Sequence, residues 1–329
     1  MNFAPFHCPQ FAQFTCCMRA HIHLSVANYV INQRNLRANS QHCRGCRTCP
    51  SRFRVMQILN EEQLKMAEPL LRERLPQSLQ AYGYIFQKNR VKSDHIDVLV
   101  DHWPDFRILV TRPLREKEED YFKDMCIYTT DRNALREILD KKEIVSWQKY
   151  LCIGTNLCHQ ETIMSVAAAN GATGNMVALC HVLRLEEPAH LPEIYSANIQ
   201  VSSLDESHIS LVNEAWKFGR GEHSMKFIKN LVRNFPSCCV LDDNGQPVAW
   251  ILTYDYSAMG MLYTMPQHRR KGYAKILISA ISKKLFYMGY PVFCFIEEDN
   301  LFSLNLFKSM GFKDEPSYRN AWFTFNQLH

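Results

Sequence analysis

Nowhere does the sequence hold an uninterrupted apolar stretch approaching the ~18 residues that a membrane-spanning helix needs. The nearest approach, Ile276 to Ile296, is broken by Ser279, Ser282, Lys283, Lys284, Gly289 and Pro291, so no membrane span is expected. Glycine and proline are sparse, 12 and 14 in 329 residues, which excludes collagen-like and low-complexity architectures. The length instead predicts about two globular domains. The first 55 residues lack Asp, Glu and Lys entirely, and carry seven arginines: Arg19, Arg34, Arg37, Arg44, Arg47, Arg52 and Arg54.

That leader accounts for the net charge of +5, because without it 31 basic residues face 33 acidic ones. A nucleic-acid binder places its basic excess on the folded domain, so no nucleic-acid partner is expected. Six of the 13 cysteines also precede residue 50. Cys43, Cys46 and Cys49, beside His42, invite a metal reading, but no second pair lies at the spacing a structural zinc site uses, and none is expected to bind metal. The other seven cysteines are scattered among apolar residues and read as buried free thiols in a reducing compartment. An acid-free, Arg-rich leader fits an organelle transit peptide. Met56 opens a stretch of ordinary composition and reads as an alternative start. Residues 1–55 are therefore expected to lie outside the fold as a disordered, targeting or alternative-start extension.

From Asn60 the pattern is that of a capped helix, with Gln63 as capping partner and Leu64, Ala67, Leu70, Leu71 and Leu75 at helical spacing up to Pro76. Leu79–Phe86 alternates, and Ile96–Val100 and Phe106–Val110 read as strands around Trp103-Pro104-Asp105. Helical patches follow near Asn133–Lys142 and Leu157–Ala169, and a Pro-containing linker spans 184–199. Asp205 or Ser207 caps a further helix bearing Ile209, Leu211, Val212 and Trp216, and another carries Met225 to Val232. Ser237–Leu241 and Val248–Tyr254 predict a hairpin turning at Asn244-Gly245.

The richest stretch runs from Leu262-Tyr263-Thr264-Met265 through Arg269-Arg270-Lys271-Gly272-Tyr273-Ala274-Lys275. A strand ends, a basic loop follows, and a helix opens with Ala274, Leu277, Ile278, Ile281 and Leu285 on one face. The first turn of a helix offers free N–H groups and partial positive charge, a phosphate site. Gly272 lets the backbone approach a ligand closely. No acidic residue occurs between 256 and 296 to neutralise it.

Arg269-x-x-Gly272-x-Ala274, followed by Asn300-x-x-Ser303-x-x-Leu306-Phe307-x-x-x-Gly311-Phe312, resembles the acyl-CoA motifs of the GCN5-related N-acetyltransferase (GNAT) superfamily. More narrowly, Ser78-Leu79-Gln80-Ala81-Tyr82-Gly83, Leu99–Phe106, Leu211–Trp216 with Gly221-Glu222, and Gly245–Trp250 resemble the glycine N-acyltransferase family, over residues 56–325. The resemblance implies an α/β (α+β) fold of two GNAT-like halves, each a mixed, mostly antiparallel sheet flanked by helices. Residues 56–190 would form the first half and residues 191–329 the acyl-CoA-binding second. It implies a monomeric acyl-CoA:amino acid N-acyltransferase, acting on glycine or a similar small amino acid, with acyl-CoA as co-substrate and no permanently bound cofactor. A mitochondrial location is the family expectation, with cytoplasmic as the alternative. The implied cofactor-binding set is Leu262, Tyr263, Thr264, Met265, Arg269, Arg270, Lys271, Gly272, Tyr273, Ala274, Lys275, Asn300, Ser303 and Phe307.

Amide formation needs a neutral amine and therefore a base or water relay, and an N–H donor for the thioester oxyanion, expected in Leu262–Met265. The carboxylate of an amino acid wants a cation, with His268 and Arg220 as candidates. The glutamate that serves as base in the better-known members falls at Ala258 here, which leaves Asp255, Glu222 and His223 as substitutes. Phe307 stands where many members have a tyrosine that protonates the leaving thiolate. A non-catalytic acyl-CoA-binding relative is thus the alternative reading.

Overall fold

Alternating apolar side chains settle which surface each strand offers to which helices. In the computed structural model, which describes residues 56–91, 96–114, 124–194, 199–219 and 221–326, twelve strands join into one sheet. They are β1 (Gln57–Ile58), β2 (Ile96–Val100), β3 (Ile108–Pro113), β4 (Met125–Thr129), β5 (Leu151–Asn156), β6 (Gly174–Arg184), β7 (Val201–Ser202), β8 (Ser237–Leu241), β9 (Pro247–Thr253), β10 (Met259–Thr264), β11 (Phe293–Glu297) and β12 (Lys313–Phe325). The order across the sheet is β1-β2-β3-β4-β5-β12-β6-β11-β10-β9-β8-β7.

From either edge the sheet repeats one plan. Four strands pair antiparallel, β1 to β4 on one side and β7 to β10 on the other. Each fourth strand then meets a parallel neighbour, β5 or β11. Strands β6 and β12 fill the centre and change places, each lying between two strands of the other half: β12 between β5 and β6, and β6 between β12 and β11. These are the two GNAT-like halves. The extension with its cysteine run, and Arg220, lie outside the described residues.

Helices cover both surfaces: α1 (Glu61–Arg72), α2 (Leu79–Lys88), α3 (Arg132–Leu139), α4 (Gln160–Ala169), α5 (Ile209–Ala215), α6 (Gly221–Asn234), α7 (Tyr273–Tyr287) and α8 (Leu301–Ser309). Along β9, Ala249 and Ile251 join the core shared by α1, α2 and α7, while Trp250 and Leu252 face α5 and α6. Along β2, Val98 and Val100 belong to that first core and Leu99 to a separate one beneath α3 and α4.

The Asn60–Gln63 capping box opens α1 as its sequence predicts. The helix contains Pro69 and ends at Arg72, before Pro76 is reached. Leu79–Phe86 is helical, not a strand: every residue from Leu79 to Gln87 is buried, so no polar face remains to mark the helical period. Asp205 caps the turn that leads into α5. The β8–β9 loop is longer than an Asn-Gly turn, because the Asp242 carboxylate accepts the N–H groups of both Asn244 and Gln246. No described helix is long and apolar enough to cross a membrane.

Candidate active site

Strands β10 and β11 part almost as soon as they meet. They share one register pair, Met259↔Cys294, whereas β4 and β5 share three. A bulge between Gly260 and Tyr263, with Met261 at φ +50°, turns β10 away. The Met265 N–H donates to Val248 O across the β9 ladder (2.9 Å). Because ladder amides alternate, that of Thr264, next to it, points to the opposite edge.

β10 leads through a turn at Pro266–His268 to Arg270 (φ +63°) and Gly272 (φ +80°), the N-cap of α7. No side chain caps this helix, and its first ladder bond is Ile276 N–H to Gly272 O. The amides of Tyr273, Ala274 and Lys275 are therefore offered outward, with Arg269, Arg270, Lys271 and Lys275 exposed around them. Arg269 Nε donates to Thr264 O (3.1 Å), holding the loop against its strand. The equivalent helix of the first half, α3, is closed to a ligand. Asp131 Oδ1 takes the N–H groups of Asn133 and Ala134, and Arg107 holds Oδ2 at 3.1 Å. One half thus opens its parallel pair and leaves its helix start free; the other zips and plugs both.

The opening leads into a cavity of about 640 Å³. Leu262, Tyr263, Asn300, Ser303 and Phe307 line it, as does Ala258, the position of the missing glutamate. Asn300 Oδ1 also caps α8 by accepting Ser303 N–H (3.1 Å). Phe307 is buried edge-on against Phe312 and has no proton to give. Tyr254, Tyr256, Phe295 and Trp322 form an aromatic wall, with Tyr254 and Tyr256 stacked at 5.1 Å.

The three substitute bases fare differently from Ala258. Asp255 is buried in the β9–β10 turn and is not among the lining residues. Glu222 is exposed at the start of α6, beside a half-buried His223, and neither lines the cavity. His268 also lies outside the lining. The charged groups that do line it went unread in the sequence: Asp124, Lys217 and Glu297. Lys217 and Glu297 form an ion pair. Asp124, only 8% exposed, accepts from Tyr84 Oη, Gln80 Nε2 and Trp322 Nε1. A carboxylate directly ahead of the apolar run Met125–Thr129 was the available signal, and its partners are distant in sequence. Among the described residues no cluster of His, Cys, Asp and Glu could hold a metal ion.

Residues 55–236 match the family described as aralkyl acyl-CoA:amino acid N-acyltransferase, and residues 239–322 match the FR47-like family. Glycine N-acyltransferase of Mus musculus is 28% identical over 290 residues, covering 82% of this chain and 98% of its own length. Glycine N-phenylacetyltransferase of Bos taurus is 30% identical over 268 residues, 75% of this chain and 91% of its own. In fold, a Drosophila protein of known crystal structure matches with a TM-score of 0.68 at 18% identity, covering 83% of this chain and 98% of that one. A GCN5-related N-acetyltransferase from Kribbella flavida gives 0.50 at 13% identity, covering 80% and 97%. With residues 55–236, more than half of its length, matched, the chain belongs to the aralkyl acyl-CoA:amino acid N-acyltransferase family.

Proposed function

We propose that the protein transfers an acyl group from acyl-CoA to the amine of glycine or a similar small amino acid, by direct attack of the amine on the thioester. The observation that carries this reading is the single-pair contact of β10 with β11, which opens beside the uncapped start of α7. Amides of the 272–275 turn suit a pyrophosphate, and the free edge of β10 suits the amide groups of a pantetheine arm. The Thr264 N–H group is a donor available to an oxyanion on that edge.

Direct transfer is favoured over an acyl-cysteine route through Cys180 or Cys294, two of the three thiols that line the cavity. Burial pushes the Cys180 thiol up to about 12 and holds Cys294 well above its ordinary value. Neither supplies a thiolate near neutral pH. Lys217 carries the positive charge among the described lining residues and suits the carboxylate of an amino-acid acceptor. A tyrosine is not needed at Phe307 for the leaving group to depart, because a thiolate leaves readily and positioning supplies much of the rate.

The absence of a carboxylate at Ala258 and of a hydroxyl at Phe307 favours a second reading, a relative that binds acyl-CoA without turnover. A thiol-release assay separates the two. Purified protein is mixed with acetyl-, benzoyl- or phenylacetyl-CoA, with and without glycine or other amino acids. Release of free CoA that depends on the amino acid is expected. Tight CoA binding with no release across the panel would overturn the transferase reading.

A further inference from the structure

Asp124 lines the cavity in a setting built to hold a carboxylate. Tyr84 Oη donates to its Oδ1 at 3.0 Å, while Gln80 Nε2 (3.3 Å) and Trp322 Nε1 (2.6 Å) both donate to its Oδ2. Behind them a buried chain fixes the amide orientations: Tyr318 Oη donates to Asn320 Oδ1, and Asn320 Nδ2 donates to Gln80 Oε1. Among these side-chain donors Oδ1 takes one and Oδ2 two, so Oδ1 is the less crowded oxygen. Trp322 also packs edge-on against Phe295 at 5.2 Å, and Phe295 directly follows Cys294, where β10 and β11 separate. Asp124, Trp322, Phe295 and the Met259–Cys294 pair at which the strands part thus all line the same cavity.

We infer that Asp124, supplied by the first half of the chain, is the proton acceptor for the attacking amine, the task that Ala258 cannot perform. This rests on the transferase reading above. One proton passes from the substrate ammonium to Asp124 Oδ1, and the freed lone pair attacks the thioester carbonyl carbon. The carbonyl oxygen becomes an oxyanion, then re-forms its double bond as the C–S bond breaks. A second proton leaves the nitrogen for the departing thiolate, giving amide and free CoA, and Asp124 returns its proton to water. The groups around it do not compete for that proton. Burial holds the phenols of Tyr84 on α2 and Tyr256 in the β9–β10 turn, and the thiol of Cys126 on β4, well above their ordinary values. Asp255 acts on the same two phenols from the turn. Burial raises Asp124 itself above its ordinary value, against the pull of Trp322, Tyr84, its own backbone N–H and Gln80, which brings it closer to the pH at which a base works best.

Asp124→Asn keeps the shape of the group and removes the base. Its turnover number should fall about 10²-fold or more, its KM for acyl-CoA should stay level, and the acid limb of its pH–rate profile should lose one proton of dependence. Trp322→Phe withdraws a donor and should move that limb to higher pH. Ala258→Glu, which places a carboxylate on the same cavity, should restore part of the Asp124→Asn rate. Calorimetric titration of glycine into CoA-saturated protein gives a readout that needs no turnover, and Asp124→Asn should weaken that binding about tenfold. Weakened glycine binding in a protein whose wild type never releases CoA would sink the transferase reading and leave Asp124 as the amine site. An unchanged rate, pH profile and glycine affinity in Asp124→Asn would overturn the inference.

Discussion

The hydroxyl of Ser257 donates a 3.1 Å hydrogen bond to the carbonyl oxygen of Gly83 and ties the β9–β10 turn of one half to α2 of the other. A Cβ on Gly83 would overlap the Tyr256 carbonyl, so the close approach depends on glycine. The turn seated this way carries Tyr254, Tyr256 and Ala258, all on the cavity.

Gly83→Ala should therefore damage activity and stability together. Overpacking against backbone costs about 1–3 kcal/mol, seen as a drop of several degrees in Tm, and the amino-acid KM should rise more than that for acyl-CoA. A variant with wild-type Tm and both KM values unchanged would show that the halves tolerate separation at this contact.

Gly272→Asp tests the nucleotide end. It strains a left-handed residue and sets a negative charge at the helix start that is offered to phosphate. The KM for acyl-CoA should rise about tenfold or more, an effect of the size that charge-assisted contacts carry, while glycine affinity holds. Direct calorimetry with CoA checks it, and undiminished affinity would move the pyrophosphate elsewhere.

Lys217 should govern the acceptor carboxylate. Lys217→Met is expected to raise the glycine KM by about tenfold, the scale of one charged hydrogen bond, with little change for acyl-CoA. Methylamine, which has no carboxylate, should react equally with both proteins. If Lys217→Met lowers methylamine and glycine turnover alike, the lysine has some other role.

Two aspartates should respond to acid in opposite senses. Backbone N–H groups of Ala134 and Asn133, together with Arg107, hold Asp131 below the usual carboxylate range. Its contribution to stability is complete above the unfolded value of about 3.9 and disappears as the pH falls through the lower folded one. Asp131→Asn should flatten that acid loss while keeping the cap near neutrality. Asp124 is raised, so its ionisation costs the fold stability as the pH climbs from the unfolded value to the raised one. Asp124→Asn should melt at pH 7 no lower than the wild type even though its activity is lost. Melting curves from pH 2 to 8 test both, and a large Tm loss at neutrality in Asp124→Asn would mark that carboxylate as structural.

The strand, loop and uncapped helix start beside the cavity were legible because their signals are local. Strand, basic loop, Gly272 and amphipathic helix follow one another within thirty residues, and Asn300 caps the next helix from within the same motif. The acceptor end is assembled from distant pieces. Asp124 gains meaning only beside Gln80, Tyr84 and Trp322, and no periodicity joins those positions. Helix α2 was misread for a related reason: packed on all sides between the halves, it has no wet face to reveal its turn. Asp255 and Glu222 were plausible by proximity in sequence to Ala258 and the acceptor loop, yet the backbone carries one into the turn interior and leaves the other exposed.

The position of β12 constrains how such a chain can be made. Its residues 313–325 are the last described element to leave the ribosome, yet they bridge β5 and β6 and deliver Trp322 and Asn320 to the first half. Until they arrive, β5 and β6 each present a bare edge of the kind that recruits foreign strands. The nascent first half must wait, incompletely paired, until residues 313–325 have been synthesised, and a ribosome stalled near residue 310 would hold an aggregation-prone fragment rather than a folded domain.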